Sequence, residues 1–203
     1  MRRSIGIDVS RETLERLEDY EALLHKWNPR INLVSKTTLA DAWTRHFVDS
    51  AQLFELADGK IGHWADLGSG GGFPGLVIAI LAAEHKNLGK MTLVEADRRK
   101  SLFLQAVLRE TGVDAQVVTD RIEATQALEA DIISARALAD LSTLIGYADK
   151  HLSKDGTAIL PKGENWEKEL QQAQSKWQFE HRVVKSKTSD GPVIICVEGV
   201  SSV

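Results

Sequence analysis

Five glycines fall within eight residues in the segment Asp66-Leu-Gly-Ser-Gly-Gly-Gly-Phe-Pro-Gly75. The segment lies between two apolar runs, 61–67 and 76–83, which predicts a turn from a strand into a helix. Glycine lacks a Cβ atom and readily takes positive φ angles, so a ligand can approach the backbone of such a turn closely. Main-chain N–H groups at a helix N-terminus can then hold its polar groups. These residue types and this spacing predict a site for a nucleoside-type cofactor.

The register of the glycines fits two classes of cofactor. Read from Asp66, the pattern Asp-x-Gly-x-Gly-x-Gly is similar to the first motif of S-adenosylmethionine-dependent methyltransferases. Read from Gly70, the letters Gly-Gly-Gly-Phe-Pro-Gly match the dinucleotide fingerprint G-x-G-x-x-G. Neither match decides alone, because glycine-rich loops also occur as purely structural turns.

A carboxylate follows at the position that both cofactor classes use. Glu95 ends the apolar run 91–94 and stands twenty residues after Gly75. Both classes place an acidic residue there to accept hydrogen bonds from ribose hydroxyls. The structural alternative for Glu95 is a solvated charge at a strand end or a cap for the next helix.

Two helices are predicted ahead of the first strand. Ser10 can cap a helix with an apolar stripe. Asn28-Pro29 should stop this helix, because the residue before a proline is pushed out of helical geometry. A second amphipathic helix is predicted from about Thr38 to Leu56, ended by Asp58-Gly59, and Pro74 fits the first turn of the helix after the glycine loop.

Downstream of these helices, apolar runs alternate with helical periodicity. This alternation predicts right-handed crossovers that build a parallel sheet with helices on both faces. Two last runs, 180–187 and 193–198, are joined by Ser189-Asp-Gly-Pro192, so short a link that only an antiparallel hairpin fits. The hairpin favours a Rossmann-like α/β methyltransferase fold, with a seven-stranded and mostly parallel sheet, over a dinucleotide-binding fold. The five parallel strands are predicted near residues 61–67, 91–95, 115–119, 131–134 and 157–160.

Length and composition limit the classes of protein. The 203 residues suffice for an N-terminal helical extension (1–58) and a main domain (59–203), packed as one globular unit. No apolar run reaches the length of a membrane span, and no secretory signal is visible after the charged N-terminus. Cys196, the single cysteine, is expected to be buried, and a reducing cytosol is the simplest location. No metal-ligand spacing is recognisable, and a net charge of -4 requires any surface for nucleic acid to be local.

Several motifs together resemble one family. The block Arg45-His46-Phe-Val-Asp49-Ser50 and the Phe-Pro-Gly ending of the glycine loop are its most specific signals. Over about residues 23–197 the chain is similar to the 16S ribosomal RNA guanine-N7 methyltransferases, the methyltransferase G or glucose-inhibited division protein B family. The remaining matching motifs are Asn32-Leu33, Arg121-Ile-Glu123, Arg136-Ala137 and Lys162-Gly163.

The resemblance implies a cytoplasmic, monomeric enzyme that uses S-adenosylmethionine to methylate N7 of a guanine in the 530 loop of 16S ribosomal RNA. The RNA would be bound within a small-subunit particle. Glu95, which stands where aspartate is common, would hold the ribose, and Arg136 would lie at the cofactor site near the incoming base. Other cofactor contacts would come from the glycine loop and from residues beside the adenine, which are Gly68, Gly70, Phe73, Ile122 and Glu123.

Two polar groups have open interpretations. His46 and Asp49 are three residues apart, so a hydrogen-bonded pair on one helical face is easy to form, with a structural or a substrate role. Arg136 alternatively forms an ion pair with Glu123 or Asp131. The run Arg98-Arg99-Lys100 opens a predicted helix and is either a solvated face or part of an RNA-backbone patch. The candidate RNA-binding residues are Arg45, His46, Arg98, Lys100 and Lys162.

The chemistry of guanine N7 simplifies what the site must do. N7 carries an in-plane lone pair and no proton, so its attack on a sulfonium methyl needs no general base. Alignment of the reacting atoms is then the main contribution of the protein. Two other functions stay open from the sequence, a nicotinamide-dependent oxidoreductase and a non-catalytic module that binds the cofactor.

Overall fold

A computed structural model describes residues 4–57, 59, 61–85 and 87–202. A seven-stranded sheet has the order β3-β2-β1-β4-β5-β7-β6. Strands β1 to β5 are parallel, whereas β7 runs antiparallel to both β5 and β6. The predicted fold class and the closing hairpin are therefore confirmed. The strands are β1 (Ile61–Leu67), β2 (Leu88–Val94), β3 (Gln116–Val118), β4 (Ala130–Ser134), β5 (Leu152–Lys162), β6 (Trp177–Lys185) and β7 (Val193–Ser202).

Helices cover both faces of this sheet. Alternate strand residues point to opposite sides, so both faces present apolar residues that the helices bury. Trp64 and Ile132 pack with the apolar residues of the first face, and their neighbours Ala65 and Ile133 pack with those of the second. No helix within the described residues is long and apolar enough to cross a membrane. The α-helices are α1 (Arg11–Ile31), α2 (Lys36–Leu39), α3 (Asp49–Phe54), α4 (Gly75–His85), α5 (Arg98–Thr111), α6 (Leu141–His151) and α7 (Trp166–Gln174).

Helix α1 begins as predicted and ends later than predicted. The Ser10 side chain accepts a hydrogen bond from the N–H of Thr13 and caps the first turn. The helix continues through Pro29 to Ile31, and Asn32 ends it in the left-handed conformation. The Asn28 side chain accepts from the N–H of Val34 and fixes the exit of the chain, a contact that the proline rule could not foresee.

The single helix predicted over 38–56 is wrong. The structure divides this region into α2, a π-helical segment (Trp43–Val48) and α3. The wider π turn allows Trp43, His46 and Phe47 to be buried together, with Trp43 stacked on Phe47 at 5.2 Å. Apolar spacing alone does not reveal such a turn, which is often found at functional sites. The predicted stop at Asp58 lies outside the described residues.

The first residues of α4 and α5 can be compared with the predicted helix starts. Helix α4 begins at Gly75, so Pro74 lies immediately before its first residue and not within its first turn. Helix α5 begins with the three predicted cations at Arg98, and Asp97 caps it by accepting from the N–H groups of Arg99 and Lys100.

The N-terminal helices share one apolar core with the sheet. Leu17, Tyr20 and Leu24 of α1 are fully buried in the cluster that also contains Phe103 of α5 and Leu76 of α4. Cys196 of β7 is buried in the same cluster, as expected. The boundary near residue 58 between an extension and a main domain stays a prediction.

Leu24→Ala should lower the free energy of unfolding by about 2–5 kcal/mol, because it leaves a cavity between α1 and the sheet helices. Leu102→Ala is the matched control, since Leu102 is 55% exposed on α5. The free energy of unfolding of both variants is measured by urea unfolding, monitored by tryptophan fluorescence and far-UV circular dichroism. We expect one shared transition that Leu24→Ala shifts; two transitions, of which only one moves, would contradict a common core.

Candidate active site

A buried carboxylate anchors the glycine-rich turn between β1 and α4. Asp66 is completely buried, and its Oδ1 accepts a hydrogen bond from Ser134 Oγ at 2.7 Å. Its Oδ2 accepts from the N–H of Gly75 at 3.2 Å, one of the free donors at the start of α4. Burial raises the pKa of Asp66 to about 6, while the hydrogen bonds, Ser134 first, act in the opposite direction. Asp66 thus ties the ends of the turn to the tip of β4.

Helix α1 supports the turn from the other side. Tyr20 donates its hydroxyl hydrogen bond to the carbonyl of Gly71, and its ring stacks on Phe73 at 5.2 Å. Gly72 has a φ of +90°, and a Cβ there would lie 2.6 Å from the Tyr20 hydroxyl oxygen. A side chain at position 72 is therefore excluded by both backbone conformation and space.

Glu95 fastens the turn to the end of β2. One carboxylate oxygen accepts from the N–H of Gly70 at 2.7 Å, and the other accepts from the N–H of Asp97 at 2.8 Å. Because Asp97 caps α5, Glu95 is not the cap of that helix. Glu95 links the glycine turn to the start of α5 and lines the cleft beside them.

A cleft of about 1160 Å³ opens along the carboxyl ends of the parallel strands. In open α/β sheets this edge is where ligands bind. All seven predicted cofactor residues line this one cleft, and so do four of the five candidate RNA-binding residues. Arg98 does not; it borders a small neighbouring pocket with Thr119 and Arg121. The seven are Gly68, Gly70, Phe73, Glu95, Ile122, Glu123 and Arg136.

The loop after β3 forms the far wall of the cleft. Glu123 is exposed and accepts a hydrogen bond from the Tyr147 hydroxyl at 2.5 Å, which lowers the pKa of Glu123. The carbonyl of Ile122 is within hydrogen-bond distance of His151 Nε2, at 3.1 Å. Helix α6 therefore holds both residues that are predicted to flank the adenine.

Arg136 pairs with a different carboxylate from those expected. Its Nη1 lies 3.4 Å from Asp49 Oδ2 and donates to the carbonyl of Arg45 at 3.2 Å. Asp131 instead accepts from the backbone N–H of His63, since it lies at the opposite end of β4. The alternative of an ion pair between Arg136 and Glu123 or Asp131 is thus wrong, because the guanidinium turns towards the N-terminal helices.

The expected direct pair between His46 and Asp49 is also absent among the described residues. Arg136 stands between them, with its Nη2 2.8 Å from His46 Nδ1. An arginine can only donate, so Nδ1 accepts and the proton of the neutral ring is on Nε2, which donates to Thr38 Oγ1 at 2.9 Å. Burial, and after it the charge of Arg136, lower the pKa of His46 to about 4.

The other candidate RNA-binding residues differ in their exposure to solvent and in whether the charged group already has a partner in the protein. Lys162 is 8% exposed, and its Nζ contacts Glu169 at 2.6 Å and the carbonyl of Ala139 at 3.0 Å. Lys100 is half-buried, whereas Arg45 and Arg98 are exposed. Among these residues, Lys162 and His46 have polar atoms already occupied by the protein.

Comparison with known proteins agrees with this geometry. A family model described as rRNA small subunit methyltransferase G matches residues 13–192. The chain is 53% identical over 197 residues to ribosomal RNA small subunit methyltransferase G of Ruegeria pomeroyi, covering 97% of this chain and 96% of the relative. For the enzyme of the same name from Paracoccus denitrificans the identity is 45%, with 96% and 98% covered. The chain belongs to the rRNA small subunit methyltransferase G family.

Solved structures agree on the fold. A methyltransferase from Geobacter sulfurreducens superposes with a TM-score of 0.61 at 12% identity, covering 95% of this chain and 91% of that one. A ribosomal protein L11 methylase from Lactobacillus delbrueckii gives 0.60 at 21% identity, with 76% and 78% covered. The Rossmann-like methyltransferase fold is therefore confirmed.

The glycine turn of this methyltransferase leaves space for a ligand beside one of its glycines. Gly70 has a φ of +55°, and a Cβ placed there would meet no atom closer than the carbonyl oxygen of Gly68 at 3.7 Å. The backbone of the turn is thus open at Gly70, with the Glu95 carboxylate beside it. These residues fit a ligand that combines a ribose with a polar amino-acid portion.

Sequence reasoning missed several residues that shape this cleft. Tyr20 occupies an apolar position of the α1 stripe, spaced three from Leu17 and four from Leu24, and only that spacing signalled its burial. Thr38 and Tyr147 carried no signal, because their partners are distant in the sequence. Such contacts follow from the folded topology and not from a local motif.

The imidazole of His46 should titrate with a midpoint of about 4 in nitrogen-detected NMR. Arg136→Gln should raise the midpoint, because it removes a positive charge, while burial keeps it below the usual value of 6.5. A wild-type midpoint near 6.5, or a lower midpoint in the variant, would contradict the geometry.

A site-specific measurement is needed because two titrations oppose each other. The lowered pKa of His46 contributes stability above about pH 6.5 that is lost as the pH falls towards 4. The raised pKa of Asp66 contributes stability below its usual value that is lost as the pH rises through about 6. Global unfolding in this range therefore does not isolate either group.

Proposed function

We propose that the chain methylates N7 of one guanine in the 530 loop of 16S ribosomal RNA, at position 527, within a small-subunit particle. The chain is an S-adenosylmethionine-dependent ribosomal RNA methyltransferase. The observation that supports the N7 chemistry is the pair of hydrogen bonds made by the His46 ring. Both of its ring nitrogens are occupied, by Arg136 and by Thr38, so the most obvious general base is not free.

The cofactor is proposed to lie across the bare glycine turn. Its amino-acid portion would contact the backbone at Gly68 and Gly70, near Phe73. Glu95 would accept from the ribose hydroxyls while still holding the turn, since a carboxylate has about four acceptor sites and the protein uses two. Ile122 and Glu123 would flank the adenine.

The acceptor base is proposed to enter beside Arg136, where β4 and β5 end. When bound, the cofactor supplies a methyl group whose bond to sulfur breaks as its bond to N7 forms, and the electron pair stays on sulfur. The protein contributes orientation, which can account for a large part of the reduction in the barrier. The guanidinium is fixed by three partners, so it can border the base without mobility of its own.

The RNA backbone is proposed to contact the free cations at the rim of the cleft. Arg45 and Arg98 are exposed and Lys100 borders the cleft, which gives a local positive surface on an acidic chain. Lys162 and His46 would act from within the cleft wall. A particle containing ribosomal protein suits the net charge of -4 better than naked RNA. We propose a monomer acting in the cytoplasm, where such particles are assembled.

The antiparallel β7 and the family membership disfavour a nicotinamide-dependent oxidoreductase. A non-catalytic module that binds the cofactor would differ from the proposed enzyme in having no methyltransferase activity.

Incubation of small-subunit particles from cells lacking the enzyme with labelled S-adenosylmethionine should give N7-methylguanine at position 527, located by mass spectrometry of nuclease fragments. Naked 16S RNA should be a poorer substrate. Label at another base, or none, would refute the proposal.

Glu95→Ala should reduce kcat/KM about 10- to 150-fold, since a hydrogen bond to a charged group contributes about 1.5–3 kcal/mol. Glu110→Ala removes an exposed carboxylate from α5 and serves as the matched control. Equal activity of the two variants would argue against Glu95 as the ribose ligand.

A further inference from the structure

A compact cluster of charge borders the glycine turn. The Arg136 guanidinium carbon lies 5.2 Å from the centre of the Phe73 ring, and the His46 ring stacks on the same phenyl ring at 5.0 Å. Asp49 is the carboxylate that pairs with this guanidinium among the described residues. Because Phe73 belongs to the turn itself, the cluster and the proposed cofactor share one wall of the cleft.

The cluster raises an electrostatic problem for a cationic cofactor. The sulfonium of S-adenosylmethionine carries a positive charge, and Arg136 brings another into the same cleft, where its side chain is only 18% exposed. Like charges that are partly shielded from water repel each other strongly at short range. His46 adds no positive charge, since burial and Arg136 lower its pKa to about 4. Among the carboxylates that offset the charge of Arg136, Asp49 acts most strongly and the buried Asp66 less.

Asp49 is held in place by partners of its own. Its Oδ1 accepts from Thr188 Oγ1 at 2.7 Å and from Gln52 Nε2 at 2.8 Å. Gln52 in turn accepts from the N–H of Lys187 at 2.9 Å, so the loop between β6 and β7 fixes the carboxylate from behind. Oδ2 faces Arg136, and the side chain keeps 22% of its surface exposed in the cleft.

We propose that Asp49 is the counter-charge of Arg136 that admits the sulfonium and makes the cleft prefer S-adenosylmethionine over S-adenosylhomocysteine. The two ligands differ at the sulfur by one methyl group and one positive charge. A carboxylate that cancels Arg136 therefore favours the methyl donor specifically. After methyl transfer the sulfur is neutral, so the same carboxylate no longer favours the product, which assists its release. This inference rests on the proposed position of the cofactor.

Calorimetric titration of the full chain with each ligand tests the proposal through the ratio of the two dissociation constants. Asp49→Asn keeps an oxygen for Thr188 and Gln52 and removes the charge. It should weaken S-adenosylmethionine about tenfold more than S-adenosylhomocysteine, which is the interaction of two unit charges about 12 Å apart at an effective dielectric constant of about 20. Arg136→Gln should shift the ratio in the opposite direction. The double variant should return it towards the wild-type value.

Glu55→Gln is the matched control, since Glu55 follows α3 directly, pairs with Lys187 and lies outside the cleft lining. Its ratio should equal that of the wild type. Equal weakening of both ligands by Asp49→Asn, or no weakening, would overturn the proposal and leave Asp49 as a structural residue. Should Asp49→Asn fail to fold, the opposite shift in Arg136→Gln still decides, and an unchanged ratio there overturns the proposal. A wild-type chain that binds neither ligand would instead refute the proposed cofactor site.

Discussion

The hydrogen bonds of the buried Asp66 carboxylate fix the glycine turn on which the rest of the proposed site depends. One oxygen holds Ser134 at the end of β4, and the other holds the first N–H of α4. Burying a carboxylate is unfavourable, and the raised pKa of Asp66 reflects this. The group remains tolerable because several donors surround it. With both ends of the glycine turn fixed, the bare backbone between them can face the cleft in one conformation.

The N-terminal helices belong to the site as much as the sheet does. Tyr20 holds the turn from α1, the π-helical segment brings His46 to Arg136, and the first residue of α3, Asp49, pairs with the same guanidinium. The sheet and its loops supply the proposed contacts to the cofactor, while the N-terminal helices supply His46 and Asp49 on the side where the acceptor base is proposed to enter. The most specific sequence block, Arg45 to Ser50, accordingly lies in these helices and outside the sheet.

Much of the fold could be predicted from the sequence because the signals are local. Apolar runs located every strand, β1 with its observed bounds, and the turn at 189–192 identified the antiparallel ending. The carboxylate at 95 was placed at the cleft by spacing alone. The seven predicted cofactor residues line one cleft because their motifs follow the ends of adjacent parallel strands.

What the sequence could not predict depends on contacts between distant segments. Arg136 pairs with Asp49 and not with a carboxylate nearer in the sequence, because the geometry of the loops decides which charged group lies beside the guanidinium. The passage of α1 through Pro29 and the π turn at Trp43 likewise depend on tertiary packing. A local rule reports a preference, and the packed core can override it.

A crystal structure of the chain with S-adenosylhomocysteine would locate the bound cofactor product. We expect its amino-acid portion across the backbone of Gly68 to Gly70, the ribose hydroxyls on the Glu95 carboxylate, and the adenine beside Ile122. Electron density for the ligand at another place, or a cleft that stays empty at saturating ligand, would contradict this expectation.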